Sequence, residues 1–122
     1  MKYLLDSTLL IDHLNGVDQA SEFLEEHHEQ SCISVITVNE VLTGSEPEEI
    51  EAHESILDQF PCQSIDLLTS KAAAALRRQY RWKLADAMQA TLALRLGLKL
   101  VTRNTRDFDP KKYDFVTVPY SL

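Results

Sequence analysis

The sequence predicts an α/β domain of three layers, a central parallel sheet covered by helices on both faces. Short β-rich apolar runs alternate with helical patterns along the whole chain, and strands separated by helices pair in parallel. Several of those runs, "LKLV", "FVTV" and "SVI", are close to continuously apolar, as strands buried on both faces require. In chain order, "KYLLD" reads as a strand and "TLLIDHLN" as a short helix stopped at Gly16. "VDQASEFLEEHH" carries Val17, Ala20, Phe23 and Leu24 on one helical face. "SCISVI" reads as the second strand, "TVNEVLTG" opens a helix, and "EPEEIEAHESILDQF" continues helical with Ile50, Ile56, Leu57 and Phe60 as its apolar stripe. "CQSID" is a short strand. "LTSKAAAALRRQYRW" and "LADAMQATLALRLG" are two further helices, the second ending at Gly97, and "LKLVT" and "FVTV" complete the sheet.

A length of 122 residues suits one domain, residues 1–122, with one core. Hydrophobic residues at 44% and charged residues at 25% are ordinary for a globular protein and exclude wholesale disorder. No apolar run is long enough to cross a bilayer, and nothing near the N-terminus resembles a signal peptide, so the expectation is a cytoplasmic protein without a membrane partner. Cys32 and Cys62 lack metal-site or redox spacing and read as reduced core thiols. The net charge of −7 hides an asymmetry. Residues 1–66 hold one basic residue and fifteen acidic ones, whereas residues 67–122 hold eleven basic and four acidic. Such a split hints at a face for a polyanion in the second half.

Four acids fall at comparable places. In an open parallel sheet the functional crevice lies at the carboxyl ends of the strands. Asp6 closes the first strand. Glu40 follows the second at the start of a helix. Asp86 lies in the first turn of an almost wholly apolar helix, and Asp107 follows "LKLVT" in "RNTRD". Each has an ordinary structural role open to it. Asp6 can cap a helix, Glu40 can complete a T-x-x-E capping box with Thr37, Asp86 complements a helix dipole, and Asp107 can sit in water. Together these readings weaken, because four carboxylates at one edge repel unless positive charge stands among them. Hard oxygen donors suit Mg²⁺ or Mn²⁺, and the four histidines carry no zinc-site spacing. A divalent ion beside a basic half points to phosphodiester chemistry, with one or two ions activating water and stabilising charge on the scissile phosphate.

The segments "LLDSTLLIDHLNG", "SVITVNEVLTG" and "LADAMQATLALRLGLKLVTRNTRDF" resemble, in this order, the PIN-domain nucleases, and more narrowly the VapC-type toxins of type II toxin–antitoxin pairs. The resemblance spans nearly the whole chain, and its last segment is the most specific. It implies a PIN-like fold whose Asp6, Glu40 and Asp86 supply the metal site, with Asp107 as a fourth acid. Thr102 and Asn104, in "TRN", would position ligands by hydrogen bonds, and Thr8 keeps a hydroxyl where relatives often carry Asn or Ser. "AMQAT" departs from a more usual Ile-Ala-Ala stretch by placing Gln89 on a buried helix. The family cuts RNA endonucleolytically with Mg²⁺ or Mn²⁺, commonly tRNA or another structured RNA. Its toxin members form homodimers and are silenced by a cognate antitoxin. Arg77, Arg78, Arg81, Lys83, Arg103 and Arg106 are then candidate phosphate contacts, Tyr80 and Trp82 candidate base-stacking rings, with Trp82 read rather as core or dimer contact. Asp12, inside the first helix, reads as exposed and outside the site.

Two other enzyme classes fail on these residues. A haloacid-dehalogenase-type phosphatase needs a second Asp two residues after the first, where this chain has Thr8. A receiver domain needs an acidic pair at the first strand and a phospho-acceptor Asp closing a middle strand. The remaining alternative is an inactive PIN-like RNA- or protein-binding module, which would be marked by loss of one or more of the acids.

Overall fold

The computed structural model describes residues 1–122. Five short strands, β1 (Tyr3–Leu5), β2 (Ser31–Ser34), β3 (Cys62–Gln63), β4 (Lys99–Val101) and β5 (Val116–Thr117), form one sheet in the order β3-β2-β1-β4-β5. Every pairing is parallel. Six helices join them: α1 (Ser7–Leu14), α2 (Asp18–His27), α3 (Val35–Thr43), α4 (Ile50–Leu57), α5 (Leu67–Tyr80) and α6 (Leu84–Leu96). The chain winds outward from β1 through β2 to β3, then crosses back to place β4 on the other side of β1. The carboxyl ends of β1 and β4 therefore flank the point where the winding reverses.

Alternation along the strands divides the core in two. Tyr3, Leu5, Ile33 and Val101 face α1, α2, α3 and α4, where Leu9, Leu10, Leu24, Val41 and Leu57 pack on them. Leu4, Cys32, Leu100 and Val116 face the other way, onto α5, α6 and an aromatic group of Trp82, Phe108, Tyr113 and Phe115. Neighbouring strand residues point to opposite faces, so burial on both gives the continuous apolar runs of the sequence and the three layers that they predict.

The structure corrects four local expectations. β2 stops at Ser34, whose hydroxyl accepts from the Ile36 and Thr37 backbone N–H groups, so Val35 and Ile36 begin a helix instead of ending a strand. Capping chemistry outweighs the β-branched preference of those two residues. Thr37 is therefore not an N-cap. It is fully buried in the first turn of α3, its hydroxyl donates to the Leu5 carbonyl at 3.0 Å, and the capping box with Glu40 does not form. Cys62 is exposed on the edge strand, and only Cys32 is a core thiol. Helix α6 is less buried than its composition predicts, since Leu84, Leu94 and Leu96 lie exposed at its ends. Gly97 ends it with φ +68°.

Candidate active site

The local chain path explains how Asp6 reaches the sheet edge. It follows β1 directly and stands at the N-cap of α1, with its backbone N–H on the Val101 carbonyl of β4 at 2.9 Å. Its side chain makes no capping hydrogen bond. The carboxylate turns toward β4 instead, where Oδ2 accepts from Thr102 Oγ1 at 2.8 Å and from Thr8 Oγ1 at 3.2 Å. Both hydroxyls converge on the one oxygen and leave Oδ1 without a donor from the chain. Asp6 is buried, and Thr102 is fully so.

The other three acids arrive from separate elements. Glu40 lies in the second turn of α3, not at its start, and accepts from Ser7 Oγ at 3.0 Å. Burial raises its pKa above the usual range, the Ser7 hydrogen bond works against that, and the negative charge of Asp6 adds to it. Asp107 sits in the turn after β4. There Asn104 Nδ2 donates to its carboxylate at 2.9 Å, and Asn104 Oδ1 accepts its backbone N–H at 3.3 Å. Asp86, in the first turn of α6, has no hydrogen-bond donor at all. Half-buried, its carboxyl is pushed up to about 6, first by burial and then by the negative charges of Asp107, Asp6 and Glu40. The Lys83 ammonium, at the N-cap of α6, opposes this weakly. Asp107, Asp6 and Glu40 are thus all near enough to Asp86 for their charges to disfavour its ionised form.

This donor set fits a hard divalent cation. All four groups are carboxylates, and the one cation acting on Asp86, the Lys83 ammonium, does not offset the burial and negative charge that push its carboxyl up. As the side chains stand, no three of them close on a single point to hold an ion, so binding one would require carboxylates to move inward.

The basic candidates do not gather here. Arg77, Arg78 and Arg81 line a shallow pocket with Ala74 and Trp82 at the C-terminal end of α5. There Arg77 Nε donates to the Trp82 carbonyl at 3.1 Å and Arg81 takes φ +60° as the helix cap. Lys83 follows at the N-cap of α6, where its charge acts on Asp86. Arg106 is exposed on the loop after β4. Trp82 is buried among Phe108, Tyr113 and Phe115 as a core ring, while Tyr80 stacks on it at 4.8 Å from the exposed side.

The reading of Asp12 as exposed is overturned. Its side chain is 8% exposed, and both carboxylate oxygens accept from Arg103, at 2.7 and 2.8 Å, with the Tyr120 hydroxyl at 2.8 Å. These partners lie 91 and 108 residues away, so no local pattern announces them. Three contributions escaped the sequence reading: those of Ser7, of Tyr120 and of Gln89, which accepts from Ser34 Oγ and donates to Thr37 Oγ1. Ser7, next to Asp6, and Gln89, a polar residue on a buried helix, left a local signal; Tyr120 left none.

With this geometry in place, comparison with known proteins is informative. The PIN-domain family model matches residues 3–114. A curated relative, the tRNA(fMet)-specific endonuclease VapC of Shigella flexneri, is 31% identical over 121 residues, covering 89% of this chain and 91% of that protein. Among solved structures, one chain of a toxin–antitoxin complex from Klebsiella pneumoniae superposes with a TM-score of 0.91 at 33% identity, covering 99% of this chain and 100% of that one. DNA-bound VapBC from Salmonella typhimurium shares the fold, with a TM-score of 0.76 at 23% identity, covering 89% of this chain and 91% of that one. No helix is long and apolar enough to cross a membrane. This chain belongs to the PIN-domain family, in its VapC-type branch.

Proposed function

We propose that this chain is a metal-dependent endoribonuclease, the toxin component of a toxin–antitoxin pair, acting on tRNA or another structured RNA. One observation carries the reading. Asp86 is a half-buried carboxylate without a single hydrogen-bond donor, set among three other carboxylates, a costly arrangement at neutral pH that a bound cation would relieve. All four acids are present, which favours catalysis over an inactive binding module.

Asp6, Glu40, Asp86 and Asp107 would hold one or two Mg²⁺ or Mn²⁺ ions. When bound, such an ion supplies Lewis-acid stabilisation of charge on a scissile phosphate and an acidified attacking water. The chain's own groups do the rest. Thr8 and Thr102 fix the rotamer of Asp6 with Oδ1 directed away from them. Ser7 holds Glu40, and Asn104 holds Asp107. Hydrolysis that places the leaving charge on a 3′-oxygen would leave 5′-phosphate and 3′-hydroxyl ends. The partners that fit are RNA, a second copy of the chain and a cognate antitoxin. The structural relative from Klebsiella pneumoniae belongs to a toxin–antitoxin complex, and the Shigella flexneri relative is named for initiator tRNA, which makes that tRNA the first substrate to try.

Purified chain, free of antitoxin, is expected to cut total RNA into discrete fragments with Mg²⁺ or Mn²⁺. Cutting should stop with EDTA, and Asp6→Asn should lower it by at least about 10²-fold. No cleavage with either metal would shift the reading to an RNA- or protein-binding module. The strip at the end of α5 has a separate test. Replacing Arg77, Arg78 and Arg81 together by Gln should raise KM with kcat little changed. It should also reduce the slope of log affinity against log salt by about one per lost phosphate contact. An unchanged salt slope would leave these arginines as solvated helix-end residues.

A further inference from the structure

We propose that the Asp12–Arg103 ion pair, anchored by Tyr120, is a positioning device for the acidic site, holding the loop after β4 so that Thr8 and Thr102 keep their grip on Asp6. The proposal rests on the nuclease reading for its consequence in catalysis and on geometry alone for the positioning itself.

Arg103 stands in the middle of a hydrogen-bonded chain that runs from Asp6 to Asp107. Its own backbone N–H donates to Thr8 Oγ1 at 3.2 Å, and that hydroxyl donates to Asp6. On one side Thr102 donates to Asp6 and accepts the Asn104 N–H at 3.0 Å. On the other, Asn104 holds Asp107 through both ends of its amide. The Thr102 hydroxyl, the Arg103 N–H, the Asn104 N–H and the Asn104 amide are thus engaged with the site or one step from it. The Arg103 side chain leaves in another direction, to α1. Its Nε and Nη2 meet both oxygens of a nearly inaccessible carboxylate, a planar fork that fixes orientation as well as distance. Tyr120 completes the acceptor's environment from beyond β5, and it lies outside residues 3–114, the stretch that the family model matches. Three segments far apart in sequence therefore converge to fix one peptide, the one between the two threonine contacts of Asp6.

A surface loop of this kind, five residues from strand end to Asp107, otherwise has little to hold it. Its outer residues Thr105 and Arg106 are exposed. Phe108 anchors its far end in the core, and the ion pair anchors its near end.

The test uses Tyr120→Phe and the paired variant Asp12→Asn/Arg103→Gln, which removes both charges without stranding either. Amide hydrogen exchange, read without RNA or metal, is the primary measurement. The N–H groups of Arg103, Asn104 and Asp107 should exchange at least about tenfold faster in the paired variant, and less so in Tyr120→Phe, with Asp6 and Leu100 in the sheet unchanged. In cleavage assays both variants should lose kcat with KM for RNA unmoved. Loop exchange at the wild-type rate overturns the proposal. So does equal acceleration in the sheet, which would make the pair a general stabiliser. A raised KM in the paired variant with Tyr120→Phe indistinguishable from wild type would make Arg103 a phosphate contact and also overturn it. Because exchange needs no substrate, a wild-type chain that never cleaves RNA would defeat the nuclease reading alone, and the loop result would still decide the positioning.

Discussion

Asp86→Asn is expected to abolish RNA cleavage and, in metal-free buffer at neutral pH, to melt at a higher temperature than the wild type. The two effects share one cause. The Asp86 carboxyl moves from 3.8 to about 6 on folding, because burial and the charges of Asp107, Asp6 and Glu40 disfavour its ionised form. Between those two values the folded chain binds more protons than the unfolded one, so stability falls as pH rises through the window and stays reduced above it. Asn has no charge to bury. Allowing for solvent screening of a half-exposed group, its advantage at pH 7 is about 1–2 kcal/mol, a rise in Tm of about 4–8 °C. At pH 4 folded Asp86 is mostly protonated, and the two proteins should converge. Mg²⁺ should reverse the order by stabilising the wild type more than the variant, since only an ion that binds the folded state raises its stability. Cleavage should fall by more than about 10³-fold, because a neutral amide neither holds the cation as a carboxylate does nor balances its charge. Thermal melts at pH 4 and pH 7, with and without Mg²⁺, would check all of this. A variant that cuts RNA normally, or that melts lower at pH 7, would sink the account of Asp86 as a strained ligand.

The features legible in the sequence are those that depend on position along the chain. Strands β1 and β4 end where their apolar runs end, so Asp6 and the "TRN" turn had to stand at the carboxyl edge once the sheet was parallel. Parallel pairing brought those two ends side by side, and Val101 accepting the Asp6 N–H is the direct result. Features set by distant partners left no trace. Asp12 looks like any helical acid until Arg103 and Tyr120 arrive from the far end of the chain. "TVNE" looks like a capping box because Thr and Glu have the right spacing, yet Ser34 lies three residues earlier and claims the cap. The tertiary position of Thr37, buried against Leu5, then decides its role. Gln89 shows the same limit most clearly, since a polar residue on a buried helix reads as a defect until its partners are known.

Gln89 is expected to be among the costliest single positions to replace. It is 1% exposed, and its amide is used at both ends. Oε1 accepts from Ser34 Oγ at 2.5 Å, and Nε2 donates to Thr37 Oγ1 at 2.9 Å. Thr37 in turn donates to the Leu5 carbonyl, the residue before Asp6. One side chain thus ties α6, which carries Asp86, to the start of α3, which carries Glu40, and through Thr37 to the end of β1. Gln89→Ala removes both bonds, strands two buried hydroxyl contacts and leaves a cavity, at a cost of about 2–4 kcal/mol. Gln89→Leu restores most of the volume but no donor or acceptor, so a cost of about 1–3 kcal/mol should remain. Urea unfolding should show the midpoint falling in both variants with an unchanged slope. If Gln89→Leu unfolds at the wild-type midpoint, the bridge contributes only volume and the hydroxyls are indifferent to it. If it unfolds early, the polar residue on the buried helix joins the three elements that bring Asp6, Glu40 and Asp86 to one edge, and cleavage should weaken in step with the lost bonds even in protein that remains folded.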